Sequence, residues 1–335
     1  MDWWIVFGVL TGLLLVALAI LYICFYRIFL SRRKSKKEDF DLPKGKEYIP
    51  HHERMVNWIE DIRSMPHTKV SIVSFDDLTL YGKYYEYEKG APIELMLHGY
   101  RGDSERDLCG GVARAFALGH SALIIDHRAC GKSDGRVISF GINESRDVHR
   151  WIEYIIQNID KDAKIILTGV SMGAATAMIC AGEDLPSNVV GVLADCGYTS
   201  AKDIIQKVMR DMKLPPKLFY PFAKIAARVL GRFDLEEKSP IEAMKKCRLP
   251  IIFIHGDADD FVPHEMSVEN YNACVSEYKK LVTVKDAGHA LCYVVDSENY
   301  VKELKEFLSR LRDEKTDQKC GDRRGRKAPT SSRNV

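Results

Sequence analysis

The stretch KIILTGVSMGAA, residues 164–175, decides the fold that this sequence predicts. Its opening residues, Lys164–Thr168, are rich in isoleucine and leucine, as is typical of a buried β-strand. A Gly-x-Ser-x-Gly turn follows directly, and the alanine-rich residues after it predict a helix. This order of strand, tight turn and helix indicates that Ser171 projects from the carboxyl-terminal edge of a parallel sheet.

The two glycines of this turn, Gly169 and Gly173, have a steric role. A side chain at either position would collide with the adjoining strand or helix, because the backbone of such a turn is strained. A serine in this string can also be a plain helix N-cap. The strand before Ser171 and the helix after it favour the interpretation as a nucleophile.

Apolar strands and helical segments alternate over most of the remaining chain. The predicted strands are Ile93–Leu97, Ala122–Ile125, Lys164–Thr168, Val189–Ala194, Ile251–His255 and Leu281–Val284. The predicted helices are Glu105–Leu118, Glu144–Asn158, Met172–Gly182, Glu265–Tyr278 and Asn299–Leu311. Apolar runs without alternation are typical of parallel strands that are buried on both faces. The pattern therefore predicts an α/β protein with a doubly wound, mostly parallel sheet.

Two segments depart from this alternation. Val70–Tyr87 predicts an antiparallel hairpin at the sheet edge, with its turn near Asp76 and Asp77. Residues 199–247 form an insertion that is broken by prolines, which predicts a small helical lid. Ordinary surface helices explain the insertion equally well, since apolar residues at helical spacing usually just pack.

The amino-terminal segment predicts a transmembrane anchor over residues 1–30. No charged residue lies between Trp3 and Tyr26, and a helix of that length covers the hydrocarbon core of a bilayer. A cleaved signal peptide is the alternative, but the segment lacks a basic start and is too long. Basic residues crowd the span between Arg27 and Lys37, so the positive-inside rule predicts that the following domain is cytoplasmic.

Composition excludes several function classes. The net charge of +2 arises from 49 basic and 47 acidic residues among 335, which gives no field for nucleic-acid binding. The nine cysteines are an odd number without C-x-x-C spacing, which favours free thiols over disulfides or a zinc site. Residues 31–69 are interpreted as a basic flank and linker, residues 70–314 as the folded domain, and residues 315–335 as a disordered basic tail.

A nucleophilic serine needs a base, and the base needs a carboxylate that fixes its tautomer. The loop after Ile251–His255 contains three competing aspartates, Asp257, Asp259 and Asp260. The loop after the last strand contains His289, the natural base in the order serine, acid, histidine.

Two other motifs do not support a cofactor or metal site. Gly131-Lys132-Ser133 resembles the end of a phosphate-binding loop, but Asp126 occupies the position of the required glycine. The His51-His52 pair follows a proline in a polar stretch and is interpreted as a solvated linker. We expect no metal and no cofactor.

With these motifs the chain resembles the alpha/beta-hydrolase superfamily over about residues 72–311. Within it, the chain is similar to lid-bearing bacterial serine hydrolases related to acylglycerol lipases and prolyl oligopeptidases. The family pattern H-G-x-x-D-x-x-V-P begins here at His255, so the resemblance selects Asp259 as the acid, with Asp195 as the fallback. The family's H-G turn corresponds to His98-Gly99-Tyr100, which implies that the N–H groups of Tyr100 and Met172 form an oxyanion hole.

The resemblance also implies a D-x-R-G-x-G-x-S stretch, which corresponds to residues 126–133 with Ala129 in place of the usual glycine. The implied function is a membrane-anchored serine hydrolase that cleaves carboxylic esters, or amides or thioesters, through an acyl-enzyme. A small acyl ester and membrane lipid are the expected partners, and nucleic acid is not. A peptidase of the same fold and a non-catalytic membrane-attached binding protein are the alternatives.

Overall fold

The computed structural model describes residues 3–31 and 40–325. The basic cluster from Arg32 to Lys37 and the end of the predicted tail, residues 326–335, lie outside the described residues. The described part contains one sheet with the strands β1 Thr68–Val73, β2 Thr79–Tyr85, β3 Ile93–Leu97, β4 Ser121–Ile125, β5 Ile165–Val170, β6 Val189–Asp195, β7 Ile251–Gly256 and β8 Lys279–Val284.

The sheet has the strand order β1-β2-β4-β3-β5-β6-β7-β8. The hairpin β1–β2 is antiparallel and joins β4 in antiparallel fashion, whereas all neighbours from β4 to β8 are parallel. The prediction of a mostly parallel sheet with an amino-terminal hairpin is therefore confirmed.

Helices connect the strands and cover both faces of the sheet. They are α1 Trp3–Cys24, α2 His52–Ser64, α3 Ser104–Ala117, α4 Ile142–Tyr154, α5 Met172–Ala181, α6 Ala201–Asp211, α7 Pro216–Val229, α8 Pro240–Met244, α9 His264–Ala273, α10 Cys292–Val295 and α11 Ser297–Gly325. One π-helical turn, Phe25–Phe29, continues α1, and another, Ile155–Ile159, continues α4.

Burial on both faces explains why the strands are apolar without alternation. Every residue of β3 is buried. Leu95 and Leu97 pack in one cluster with Trp151 of α4, while Met96, which points to the opposite face, packs with Leu108 of α3. Because both faces exclude water, each position of a central strand requires a side chain that is stable without it.

The predicted linker over residues 31–69 is wrong in part, because it contains helix α2. Met55, Ile59 and Ile62 are buried, and their spacing places them on one face of that helix. This face packs against α3. His52 begins α2, and its Nε2 lies 2.8 Å from the carbonyl oxygen of Pro43. The apolar spacing is present in the sequence, but polar residues surround it.

The last two long helices differ in length from the prediction. Helix α9 ends at Ala273 rather than at Tyr278, because Cys274 has an extended backbone that leads into β8. Helix α11 continues to Gly325, past the predicted end at Leu311 and into the segment interpreted as a disordered tail. The lysine, glutamate and arginine residues of that segment have good intrinsic helix propensity.

The amino-terminal helix and the insertion lie together. By length and composition, the helical span Trp3–Phe29 is able to cross a membrane. Residues 199–247 fold into α6, α7 and α8, and α7 packs against α1. The eight cysteines from Cys24 to Cys292 are all buried and free, as the sequence predicted.

Candidate active site

Ser171 occupies a strained turn between β5 and α5. Its φ of 55° and ψ of −117° lie in a region that side chains rarely adopt. A Cβ at Gly169 would lie 2.2 Å from the backbone of Gly173, and a Cβ at Gly173 would lie 2.0 Å from the carbonyl oxygen of Leu97. Only glycine allows the helix and the two strands to approach this closely, so the turn can present Ser171 at the sheet edge.

His289 reaches Ser171 from the loop that follows β8. Its Nε2 lies 2.9 Å from Ser171 Oγ. The Tyr48 hydroxyl donates a hydrogen bond of 2.9 Å to the backbone carbonyl of His289, and the ring of Phe261 meets the imidazole edge-on at 5.0 Å. These contacts restrain both the backbone and the ring of the predicted base.

Asp259 lies behind His289, with its Oδ2 at 2.7 Å from His289 Nδ1. Its Oδ1 accepts hydrogen bonds from the N–H groups of Phe261 at 2.9 Å and Val262 at 2.8 Å. His255 Nε2 lies 3.1 Å from Oδ2. Burial by itself would raise the pKa of Asp259, but the hydrogen bonds from His255 and His289 hold that pKa well below its usual range.

An ionised Asp259 fixes the tautomer of His289. A carboxylate only accepts hydrogen bonds, so the proton of the neutral imidazole lies on Nδ1. Nε2 is then left as an acceptor for the Ser171 hydroxyl. The three side chains form one hydrogen-bonded chain with the polarity that serine activation requires.

The competing carboxylates have other partners. Asp257 Oδ1 accepts a hydrogen bond of 2.6 Å from the backbone N–H of Asp286. Asp260 is exposed. Asp195, the fallback acid, accepts a hydrogen bond of 2.9 Å from the Tyr300 hydroxyl, and burial raises its pKa. Among these four aspartates, Asp259 is the one whose described contacts include His289.

Tyr100 and Met172 follow neighbouring strands at the same sheet edge. Strands β3 and β5 are parallel and in direct contact, with Leu97 opposite Gly169. A Cβ at Gly99 would lie 3.9 Å from Ser171 Oγ, so the turn passes directly beside the serine. The backbone N–H of Gly99 donates a hydrogen bond of 3.0 Å to Asp107 Oδ2, which holds the turn against α3.

The comparisons with known proteins agree with this architecture. Residues 95–238 match the sequence profile of a family that is described as the alpha/beta hydrolase fold. The esterase Pf2001 of Pyrococcus furiosus superimposes with a TM-score of 0.60 at 23% identity, over 75% of this chain and 93% of that protein. The chain has the alpha/beta-hydrolase fold, and its residues 95–238 resemble that family.

Relatives with curated sequences align with more than half of this chain. The uncharacterized protein YqkD of Bacillus subtilis is 28% identical over 58% of this chain. The alignment spans 64% of YqkD, just under two thirds of its length. The human mitochondrial palmitoyl-protein thioesterase ABHD10 is 23% identical over 58% of this chain and 65% of its own length.

Sequence reasoning missed two residues that orient the predicted triad. The sequence identified His255 only as the first residue of the H-G-x-x-D pattern. In the structure its Nδ1 lies 2.6 Å from Ser267 Oγ, and its Nε2 faces Asp259. Tyr48 lies in the segment that was interpreted as a linker. The histidine of the H-G-x-x-D pattern was the available signal for the first, whereas no local pattern pointed to Tyr48.

The backbone of the loop at residues 126–133 explains why the family pattern has a glycine where this chain has Ala129. Ala129 has a φ of 64°, in the left-handed region that favours glycine. Arg128 beside it makes a two-pronged ion pair with the buried Asp147, at 2.6 and 2.7 Å, and a second with Asp76 at 3.0 Å. These pairs hold the loop while Ala129 adopts the strained conformation.

A cavity of about 230 Å³ opens at Ser171 and His289. Its apolar lining includes Met96, Leu108, Val170, Leu193 and Trp58. A buried polar group also lines it, formed by Arg114, Thr168, Asp195 and Tyr300. Within the described residues, the lining comes from the sheet, from α3, from the segment around α2, from the loops that carry Tyr100, Phe261 and His289, and from α10 and α11. The insertion at 199–247 contributes none of it.

One group of candidate metal ligands overlaps this site. The ligand atoms of Cys196, Asp259 and His289 lie within 4.8 Å of one another. Burial raises the pKa of the Cys196 thiol well above its usual range, so the thiol stays protonated at neutral pH. Since metals bind the thiolate, and Asp259 and His289 already bond each other, this group is better suited to proton transfer than to metal binding.

Proposed function

We propose that the chain is a membrane-anchored serine hydrolase that cleaves carboxylic ester bonds through an acyl-enzyme. One observation carries the proposal: Ser171 Oγ, His289 and Asp259 form a chain of hydrogen bonds of 2.9 and 2.7 Å at a strained turn. The turn places the serine in the wall of the cavity, the imidazole is oriented to take its proton, and the carboxylate is ionised.

In the proposed reaction, Ser171 Oγ attacks the ester carbonyl as its proton passes to His289 Nε2. Asp259 stabilises the imidazolium that forms. The alcohol then leaves with the proton from His289, and Ser171 carries the acyl group. A water molecule repeats the attack with His289 as base, which releases the carboxylic acid and regenerates the serine.

The oxyanion of each tetrahedral intermediate would be held by the N–H groups of Tyr100 and Met172. Donors of this kind act where charge develops, and removal of one typically costs about 3 to 4 kcal/mol of transition-state stabilisation. The position of both residues beside Ser171, at the ends of adjacent parallel strands, supports this role.

The cavity supports an acyl ester as the substrate class. Its volume of about 230 Å³ is at or just below the lower end of the range for small-molecule sites, roughly 300 to 1,000 Å³. Met96, Val170 and Leu193 provide apolar surface for a short or medium acyl chain. A thioester is the second candidate bond, because the human relative ABHD10 is a palmitoyl-protein thioesterase.

Helix α1 supports the proposed location at a membrane. Within the 18-residue apolar stretch of this helix, no residue is buried against the rest of the protein. Six basic residues occur from Arg27 to Lys37, which favours retention of that end on the cytoplasmic side. We therefore place the catalytic domain on the cytoplasmic face.

Labelling by a fluorophosphonate probe tests the proposed chemistry on the full chain in detergent. The parent should be labelled, Ser171→Ala and His289→Ala should not, and the exposed Ser187→Ala should match the parent. Labelled protein should also hydrolyse p-nitrophenyl butyrate. A folded parent that is neither labelled nor active would refute the proposal in favour of a binding protein, whereas labelling that persists in Ser171→Ala would mean another nucleophile.

A further inference from the structure

The segment Phe25–Ser31, here called the juxtamembrane strap, is built into the catalytic domain. Phe29 is completely buried, and its ring meets those of Phe140 and Phe233 edge-on at 5.9 and 5.5 Å. The N–H of Ile138 donates a hydrogen bond of 2.9 Å to the carbonyl of Phe29. A flexible tether between a membrane helix and a domain would make no such contacts.

The juxtamembrane strap binds the turn that carries the proposed oxyanion donor. The Tyr100 hydroxyl donates a hydrogen bond of 2.5 Å to the carbonyl of Ile28. Arg101 Nη2 donates to the carbonyls of Arg27 and Leu30, both at 2.9 Å. Three backbone carbonyls of the strap are therefore bound by two consecutive side chains of this turn.

The turn itself has a conformation that needs support. Arg101 has a φ of 56°, a left-handed conformation that is unfavourable for a residue with a side chain. The ring of Tyr100 stacks on Phe140 at 5.1 Å, and Phe140 contacts Phe29 of the strap. The N–H that would face the oxyanion and the hydroxyl that is bound by the strap belong to the same residue, Tyr100.

We infer that the juxtamembrane strap positions the oxyanion hole, an inference that rests on the proposed serine-hydrolase function. Catalysis by a backbone N–H depends on its placement to within a few tenths of an ångström. The strap fixes the far end of the Tyr100 side chain and, through Arg101, the strained residue after it. The end of the membrane helix thus contributes to catalysis as well as to attachment.

Full-length Tyr100→Phe tests this inference, because it removes the hydroxyl and keeps the ring on Phe140. We expect kcat for p-nitrophenyl butyrate to fall roughly tenfold, part of the 100- to 1,000-fold loss that follows removal of a whole donor. KM should change by less than about twofold, since the ring of Tyr100, which lines the cavity, is kept. Tyr81→Phe, on the exposed side of β2, is the matched control and should match the parent.

Arg101 supplies a second pair of variants. Arg101→Met removes the donor to both strap carbonyls and should lower kcat at least as much as Tyr100→Phe. Arg101→Lys can still reach one carbonyl and should restore part of the loss. Rates are expressed per active site titrated with the fluorophosphonate probe, so unfolded protein does not enter the comparison.

The outcomes separate this inference from the proposed function. A parent that neither labels nor turns over would overturn the proposed function itself. An active parent whose Tyr100→Phe and Arg101→Met variants keep the parental kcat per titrated site would overturn the positioning role alone. A rise in KM at unchanged kcat would also overturn it, because that pattern indicates a role in substrate binding.

Helix α7 carries an exposed apolar stripe that leads to a second, separate inference. Leu218, Phe222, Ile225 and Val229 follow a spacing that places them on one face of the helix. Leu218, Ile225 and Val229 are 58%, 48% and 63% exposed. Water-exposed apolar residues in a row of this kind mark a surface that contacts a partner or a membrane.

Two further observations indicate a lipid surface as the occupant. Helix α7 packs against α1, the helix that is able to span a membrane. Within Pro216–Val229 the charged residues are Lys217, Lys224 and Arg228, and the helix contains no acidic residue. Lys224 pairs with Glu236 outside the helix, which leaves Lys217 and Arg228 as the cations that would meet the lipid. Cations beside an apolar stripe are typical of helices that lie in the interface of anionic bilayers.

We propose that the α7 stripe docks on the anionic bilayer into which α1 inserts, a proposal that rests on the proposed anchor and not on the catalytic function. The test uses full-length protein with Cys320→Ser in phosphatidylglycerol-containing nanodiscs. One cysteine at a time is introduced at Val229, Val9 or Ser187 to carry an environment-sensitive fluorophore, and the same protein without an introduced cysteine measures labelling of the eight buried cysteines. Val9 lies within α1, and Ser187 is an exposed residue at the opposite, amino-terminal edge of the sheet.

The label at Val229 should be quenched by a lipid-attached quencher as the label at Val9 is, and the label at Ser187 should not be quenched. Quenching at Val229 should weaken in pure phosphatidylcholine, because the cations then lose their anionic partners. If Val9 is quenched and Val229 behaves like Ser187, the docking surface is refuted. If Val9 is not quenched either, the anchor and the docking surface both fail.

Discussion

Asp259→Asn is the most informative single substitution in the proposed active site. The amide oxygen can keep the hydrogen bonds from the N–H groups of Phe261 and Val262 at 2.9 and 2.8 Å. Its NH₂ group then replaces Oδ2 and faces the ring nitrogens of His255 and His289. Because an NH₂ group donates, the Nδ1 of His289 must become an acceptor.

This exchange of donor and acceptor reverses the tautomer of His289. The proton moves to Nε2, which lies 2.9 Å from Ser171 Oγ and can then no longer accept the serine proton. The loss expected for a wrong tautomer together with an unstabilised imidazolium is roughly 10⁴-fold in kcat, about 5 kcal/mol at 1.36 kcal/mol per tenfold. Folding should be retained, because His255 can still donate to the Val262 carbonyl at 2.9 Å.

Steady-state hydrolysis of p-nitrophenyl butyrate, with a thermal melt for each variant, measures this loss. The exposed Asp257→Asn is the control and should keep kcat within about twofold, since its carboxylate does not contact His289. Asp195→Asn tests the fallback acid and should affect kcat far less than Asp259→Asn. A folded Asp259→Asn enzyme that loses less than about tenfold, or a larger loss in Asp195→Asn, would refute the assignment of Asp259.

Three further predictions concern stability. Gly173→Ala should destabilise the fold by about 3 kcal/mol or abolish it in chemical denaturation, because the new Cβ would lie 2.0 Å from the Leu97 carbonyl; a stable variant would contradict this. Lys213→Gly should raise the free energy of unfolding by about 0.5 to 1 kcal/mol, since exposed Lys213 ends α6 with a φ of 57°; an unchanged urea midpoint would contradict it. Burial alone would raise the pKa of Glu94, but Arg114 and His120 hold it at about 2 against an ordinary 4.5, so its stabilisation should be present above pH 4.5 and lost as the pH falls towards 2. Urea unfolding between those values should show this slope in the parent and not in Glu94→Gln.

The proposed catalytic residues could be predicted from the sequence because each lies in a loop directly after an apolar strand. Such strands are apolar throughout, so the sequence shows where each one ends. Parallel strands bring the loops after them to one edge of the sheet. Ser171 after β5, the Asp259 loop after β7 and His289 after β8 all follow this rule. The predicted site residues therefore follow from the predicted strands.

The sequence was less informative where a segment gains its structure from a distant partner. The segment of helix α2 contains many polar residues, which predicted a solvated linker. The helical spacing of Met55, Ile59 and Ile62 indicated a helix instead. That segment contributes Tyr48 and Trp58 to the site and its cavity. The insertion predicted as a lid, by contrast, lines none of the cavity within the described residues and packs against α1 instead.

The sequence by itself determined the fold, the nucleophile turn and the order of serine, acid and histidine, because burial and tight turns impose residue types over a few neighbouring positions. Residue spacing left Asp257, Asp259 and Asp260 open, the family pattern selected Asp259, and the structure has that carboxylate facing His289. Only the tertiary structure revealed that the juxtamembrane strap holds Tyr100 and Arg101. These contacts join residues far apart in the chain, several through backbone carbonyls. Every residue has a backbone carbonyl, so the pattern of side chains cannot predict which carbonyl accepts a hydrogen bond.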